Sequence, residues 1–293
     1  ALPAAALADG VTITSYGHSA LLINGGGASV LVNPFKAVAC AAGLKEPRIK
    51  ADVVLASSLL LDEGAPVAKG RFLASPGGYS IKGLRFEGFA APHDRIGGRR
   101  FGNGVIWRWE QGGMEFAHLG GTAATLQPED KVLLGRPDVL ILGIGGGAKV
   151  YDGVEAAAVV KQLNPKVVIP VQYVRSGEPP VDCDQTGADA FLQALPGVPS
   201  KPVGRVLKLT PPLADPTRLD LMPCQCSSFA GAVMEMFWHQ RRAIGVCLAL
   251  QGVLMIACAA LIGVEQRSAQ PFLEAEGLLE PLHLLGGGSN TDP

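Results

Sequence analysis

Charge is scarce in this chain. Only 17% of its 293 residues are Asp, Glu, Lys or Arg, and the signs nearly cancel at 25 basic against 26 acidic. There is no basic excess to build a nucleic-acid face. The six cysteines (Cys40, Cys183, Cys224, Cys226, Cys247, Cys258) lack the spacing of a disulfide scaffold. Cys224-x-Cys226 has no second pair, which argues against a zinc knuckle. The run "GIGGG" (143–147) has no P-loop Lys-Ser/Thr after it and does not fit a dinucleotide fingerprint, so it reads as a strand-end loop. So little charge points to a partner surface or a membrane.

Turn formers are abundant instead, with 38 Gly and 22 Pro. Residues 11–34, "VTITSYGHSALLINGGGASVLVNP", read as two strands around a Gly-rich turn. "ADVVLAS" (51–57) is a buried strand, "YSIKGLRFEGFAAPH" (79–93) a hairpin, and "NGVIWRWEQGGMEFAHLGG" (103–121) a second hairpin about Gly112-Gly113. "DVLILGIGGG" (138–147) and "KVVIPVQY" (166–173) are apolar strands, while "GVEAAAVVKQLNP" (153–165) and "GADAFLQAL" (187–195) are helices. Strands grouped early and β/α alternation later indicate layered sheets with outer helices.

The character changes after about residue 212. "PPLADPTRLDLMPCQCSS" reads as a linker. Residues 243–264, "AIGVCLALQGVLMIACAALIGV", hold no charge over 22 positions. At ~1.5 Å per residue that run suffices for a hydrocarbon core of ~30 Å. A buried soluble helix is the competing reading. "HQRR" (239–242) precedes the run and an acid-rich stretch follows it. The positive-inside tendency therefore puts the N-terminal domain on the cytoplasmic side, or its plastid equivalent, the stroma. The first residues, "ALPAAALADG", suggest the stub left by a removed targeting peptide, or a shortened chain. The expected divisions are a domain at 1–212, a linker at 213–238, one transmembrane helix at 239–266 and a tail at 267–293.

Seven stretches occur in an order that resembles the metallo-β-lactamase fold, in its compact UlaG-like hydrolase branch. They are "YGHSALLI" (16–23), "VLVNPF" (30–35), "ADVVLASSLLLDEG" (51–64), "AAPHD" (90–94), "AHLGGT" (117–122), "RPDVLILGIGGG" (136–147) and "NPKVVIPVQY" (164–173). The resemblance implies an α/β protein, an αββα sandwich. It also implies a metal site, usually for zinc, whose ligands would fall on Ser58, Leu60, Asp62, Glu63, His93, Gly121 and Gln172. Only Asp62 and His93 are usual ligands in those places, and Glu63 is a substitute. The pattern is degenerate, so neither a metal nor any other cofactor is expected in this domain. Leu59, Leu60 and Leu61 read as apolar side chains filling a retired site. His18 reads as structural, His93 as bonded to Asp94 or nearby backbone, and His118 as a satisfied strand-end residue.

A second, weaker resemblance lies at residues 234–246, "MEMFWHQRRAIGV". These look like the first helix of light-harvesting and one-helix chlorophyll proteins, with His239, Arg241 and Ala243 in place and Glu235 one position too far upstream. That would make His239 a chlorophyll ligand, with Glu235 and Arg241 as its charge partners. A basic cluster beside the membrane, anchored by Phe237 and Trp238, is the plainer reading.

The leading expectation is therefore a pseudoenzyme: a membrane-anchored accessory subunit of an integral membrane complex, best placed in a photosynthetic thylakoid membrane. The alternatives are a tethered hydrolase with a metal on Asp62, Glu63 and His93, and a non-catalytic binder using the old cleft.

Overall fold

The structure is a computed structural model that describes residues 10–175 and 179–223. The segment expected to cross a membrane lies outside those residues. No helix among the described residues is long and apolar enough to do so.

Two sheets face each other. In the first, β1 (Val11–Gly17), β2 (Ala20–Gly25), β3 (Ala28–Val32), β4 (Lys50–Leu55), β5 (Lys69–Leu73) and β13 (Val206–Leu209) run in the order β13-β1-β2-β3-β4-β5. The stretch 11–34 thus holds three strands rather than two, because both Gly17-His18-Ser19 and Gly26-Gly27 reverse the chain. In the second sheet, β6 (Gly77–Ile81) pairs with β7 (Leu84–Pro92), and β8 (Asn103–Gln111) with β9 (Met114–Gly120). β10 (Val139–Gly143), β11 (Val167–Val171), β12 (Ser200–Pro202) and β14 (Arg218–Leu221) complete the order β12-β14-β11-β10-β9-β8-β7-β6. β14 carries the domain past residue 212 and into the stretch expected to be linker.

Burial follows the pairing. β1 alternates buried and half-buried positions, the period-two pattern of a strand with one core face. β10 and β11 are buried throughout, as parallel strands covered on both faces are. Pro170 has no N–H for a ladder, and β11 pairs with β14 only through Val167 and Val168.

Between the sheets pack Trp107, Trp109, Phe86, Phe116, Ile13 and Ile169. Trp107 donates its ring N–H to the Ala56 carbonyl at 3.0 Å. Its ring lies so close over Gly88 that a β-carbon there would sit 2.8 Å from it. On the outer face of the second sheet, Leu140, Leu142 and Val168 meet Ala156, Val160 and Leu163 of α2 (Gly153–Leu163) and Phe191 of α3 (Asp189–Ala194). Asp152 caps α2, accepting from the Val154 and Glu155 N–H groups, and Asn164 ends it in the left-handed region. A shorter helix, α1 (Pro128–Leu134), starts at a proline. The outer face of the first sheet gathers Leu31, Ala51 and Val54 with Leu22, Ile49, Ala68 and Phe72, none from an α-helix. The expected αββα sandwich therefore has one helical layer among the described residues.

Cys40 and Cys183 form a disulfide across 143 positions. Spacing rules look for local patterns and pass over a pair so far apart.

β3, β4 and β5 are mutually parallel, as are β9, β10, β11 and β14. β1 and β7 each lie two antiparallel steps from a member of these sets and share its direction. The loops leaving all these strands meet at one end of the sandwich, where open α/β sheets carry their sites.

Trp107→Ala should cost about 3–5 kcal/mol, the usual loss for a buried aromatic. Asp152→Ala should cost about 1 kcal/mol, the usual loss of a cap. Urea unfolding measures both, and equal costs would contradict this division of labour.

Candidate functional site

Asn33 follows β3 in the left-handed region. Its side chain donates to the Ser57 hydroxyl at 2.7 Å and accepts from the Ser57 N–H at 2.8 Å. That clamp sets the start of the loop after β4. The loop then closes on itself: the Glu63 and Gly64 N–H groups donate to the Leu60 carbonyl at 3.1 and 2.8 Å. The Leu60 N–H donates to the Ser58 hydroxyl at 3.2 Å. A β-carbon on Gly64 would lie 1.7 Å from the Ser58 carbonyl, so the turn needs glycine there.

This turn sends Asp62 and Glu63 inward and Leu59 and Leu61 outward. Glu63 is 0% exposed, whereas Leu59 is 70% and Leu61 49% exposed. Leu59 and Leu61 therefore do not pack inward as expected, and Leu60 is half-buried. The centre is held by the Glu63 carboxylate. Its Oε1 accepts from His93 Nε2 at 2.5 Å and from the Ser58 hydroxyl at 2.8 Å. Its Oε2 accepts from Gln172 Nε2 at 2.5 Å. A β-carbon on Gly121 would sit 2.0 Å from that oxygen. Five of the seven expected positions therefore meet here: Ser58, Glu63, His93, Gly121 and Gln172. Leu60 contributes its backbone, and Asp62 faces a different partner.

That partner is Lys149, in the loop after β10, which sequence reading missed. Its ammonium lies 2.8 and 3.0 Å from the two Asp62 oxygens, and both side chains are largely buried. No short motif marks this lysine; its partner stands 87 positions earlier in the chain.

His93 bonds Glu63, not Asp94. Asp94 instead accepts the N–H groups of Ile96, Gly98, Arg100 and Phe101, and so shapes the loop after β7. Gln172 has φ 52°, and its N–H donates to the His18 carbonyl at 3.1 Å. His18, at φ 49°, joins Asn33 and Gln172 as a non-glycine residue held left-handed at the site, where such strain usually gathers. The glycine run after β10 makes room for the loop after β11. A β-carbon on Gly145 would meet the Gln172 carbonyl at 2.2 Å, and one on Gly147 the Asp184 carboxylate at 2.3 Å.

The electrostatics follow from burial and pairing. Burial alone would raise Glu63, yet the His93 hydrogen bond and charge, Lys149 and Ser58 hold it below its ordinary value. Burial alone would lower His93, and Glu63 holds it above. Burial drives His18 down to about 4 against the pull of Asp62 and Glu63, and Lys149 adds to the fall. Burial drives His118 to about 4 against Glu63. His118 is thus a neutral core residue within β9.

The donor set does not fit a divalent metal. Such an ion needs several lone pairs aimed at one point. Among the described residues, no group of three His, Cys, Asp or Glu side chains is so placed, and Asp62, Glu63 and His93 do not form one. Both Glu63 oxygens already accept from neutral or cationic donors, and Asp62 already holds an ammonium. Glu235, His239 and Arg241 lie outside the described residues.

Residues 12–172 match the family described as beta-lactamase superfamily domain. The fold is similar to that of a candidate zinc-dependent hydrolase of the metallo-β-lactamase superfamily from Thermotoga maritima. The identity is 25% and the TM-score 0.59, over 73% of this chain and 100% of that one. A candidate metal-dependent hydrolase from Parabacteroides distasonis is similar at 16% identity and TM-score 0.51, over 73% of this chain and 94% of that one. No curated protein sequence matches the chain.

Two outcomes follow. His18 and His118, near 4 when folded, would take protons at about 6.5 once unfolded. Stability should therefore fall as pH drops from about 6.5 to 4, with about two extra protons bound on unfolding. The Glu63–His93 pair acts differently: its stabilisation is complete between about 4.5 and 6.5 and is lost as pH rises through the raised value of His93. Urea midpoints against pH test both signs, and His118→Gln should remove about one proton from the acid-side slope. Separately, Gly121→Asp should cost about 3–5 kcal/mol, because it crowds a buried carboxylate with a second charge. Adding Glu63→His should recover part of that loss in thermal melts.

Proposed function

Because this chain belongs to the beta-lactamase superfamily, whose match spans more than half of it, we propose that it is a member without metal-dependent hydrolysis. Its role is that of a membrane-anchored accessory subunit. One observation carries the loss of chemistry. The Glu63 carboxylate occupies the centre of the site with both oxygens bonded, and Lys149 neutralises the neighbouring Asp62. Glu63 and His93 are each 0% exposed, so no substrate reaches this pair as a general acid or base without opening the fold. A fold can persist where its chemistry does not, since function resides in the site.

The anchor rests on the uncharged run at 243–264. The likeness of His239, Arg241 and Ala243 to chlorophyll-protein helices supports a thylakoid complex as the setting, with the domain on the stromal side. In the competing reading, Asp62, Glu63 and His93 hold a metal in a tethered hydrolase. That reading requires Lys149 to leave Asp62 and His93 to release Glu63.

Metal analysis of the purified full chain separates the two. The expected result is far less than one zinc, manganese or iron per chain, with no ester or lactone hydrolysis above buffer after metal is added back. One metal per chain, lost together with hydrolysis in His93→Ala, would overturn the proposal.

A further inference from the structure

The loop end of the sandwich carries an apolar and basic rim. Nine large apolar residues are well exposed among the described residues, and five of them stand on loops at this end: Val38, Leu59, Leu61, Ile96 and Val181. The Lys36 N–H donates to the Leu61 carbonyl at 2.7 Å, which ties the Val38 loop to the leucine loop. The Cys40–Cys183 disulfide ties the Val181 loop to the same place. Isolated surface apolar residues need no explanation, but several on adjoining loop tips mark a contact surface.

Among the described residues, exposed charge outside ion pairs on these loops is in basic excess, five basic residues against the two acids Asp182 and Asp184. Lys36, Lys45, Arg99, Arg100 and Arg175 are exposed, and none is in an ion pair among the described residues. The acids nearby are mostly committed. Asp62, Glu63 and Asp94 are buried and Glu46 pairs with Arg48, while Asp182 and Asp184 on the Val181 loop are exposed, the latter accepting the Ala148 N–H at 2.9 Å.

The chain also leaves the domain here. β14 runs parallel to β11 and ends beside the loop that carries Gln172. Pro223 lies with His18 and Tyr173 around a small hollow, and its carbonyl accepts from the Ser15 hydroxyl at 2.9 Å. The uncharged run begins 20 residues later, at Ala243 (243 − 223).

From these three observations we infer that the rim is a membrane-contact face that rests on an anionic lipid surface. The loop apolar residues enter the headgroup layer and the unpaired basic residues meet lipid phosphates. Buried apolar area and attraction to anionic headgroups are the two terms of interfacial binding, and both are present on this rim. The geometry explains why Leu59 and Leu61 point outward: they are contact residues, not filling. The inference rests on the proposed anchor, which delivers the domain to a bilayer.

The test uses the full chain reconstituted in vesicles of phosphatidylcholine with or without phosphatidylglycerol. Amide hydrogen exchange is read at residues 36–45, 59–63 and 95–101. Peptides covering them should exchange about tenfold more slowly on the anionic vesicles than in detergent. The protection should weaken in high salt and be lost in Leu59→Ser/Leu61→Ser and in Arg99→Glu/Arg100→Glu, with thermal melts of each variant separating loss of lipid contact from loss of fold. Unprotected loops in a chain that resists carbonate extraction would overturn the inference and leave the anchor standing. Release by carbonate would overturn the anchor alone, and the same peptides then report on chain added to vesicles from outside. Protection that appears without lipid and grows with protein concentration would mean a second copy of the chain covers the rim, and would also overturn it.

Discussion

A carboxylate with no access to water governs this domain. An ionised Glu63 in the core is tolerated only if each oxygen finds donors and a positive charge stands close. His93 supplies the charge, and Ser58 and Gln172 supply the remaining donors. The surrounding backbone is shaped to permit this. Gly121 leaves space against one oxygen, Gly64 lets the loop close, and Gln172 accepts a left-handed conformation. The Asn33–Ser57 clamp places the loop that carries the glutamate.

The same arrangement leaves no group of three metal-binding side chains together at the site among the described residues. Where the superfamily pattern gathers imidazoles and carboxylates about a cation, this site pairs each carboxylate with a cationic side chain, Asp62 with Lys149 and Glu63 with His93. Removing one partner would strand a buried charge, whereas keeping both satisfies the site without any ion. The tight turn that buries Asp62 and Glu63 leaves Leu59 and Leu61 on its outer side. Exposure of Leu59 and Leu61 is therefore the other side of the burial of Asp62 and Glu63.

Much of the framework was legible because it depends on local pattern. The hairpins around Lys82-Gly83 and Gly112-Gly113, the buried strands β4, β10 and β11, and the capped helix α2 are written in alternation, turn glycines and capping residues. Less regular pieces were not. β5 carries a glycine and two basic residues, β13 and β14 are four residues each, and α1 is barely two turns. Such segments form because a sheet edge or a loop end is waiting for them, and single-segment propensity is too weak to announce that.

The residues alone determined that Ser58, Leu60, Gly121 and Gln172 stand where the resemblance would expect metal ligands, and none of the four is a usual ligand wherever the chain places it. They also determined the long uncharged run near the C-terminus. Only the tertiary structure decided what stands at the centre of the site, the Glu63 carboxylate. A lone loop cannot reveal whether leucine or glutamate turns inward. That depends on hydrogen-bond partners 30, 87 and 109 positions away. Burying a charge is a long-range bargain, settled by contacts that exist only once the two sheets have met.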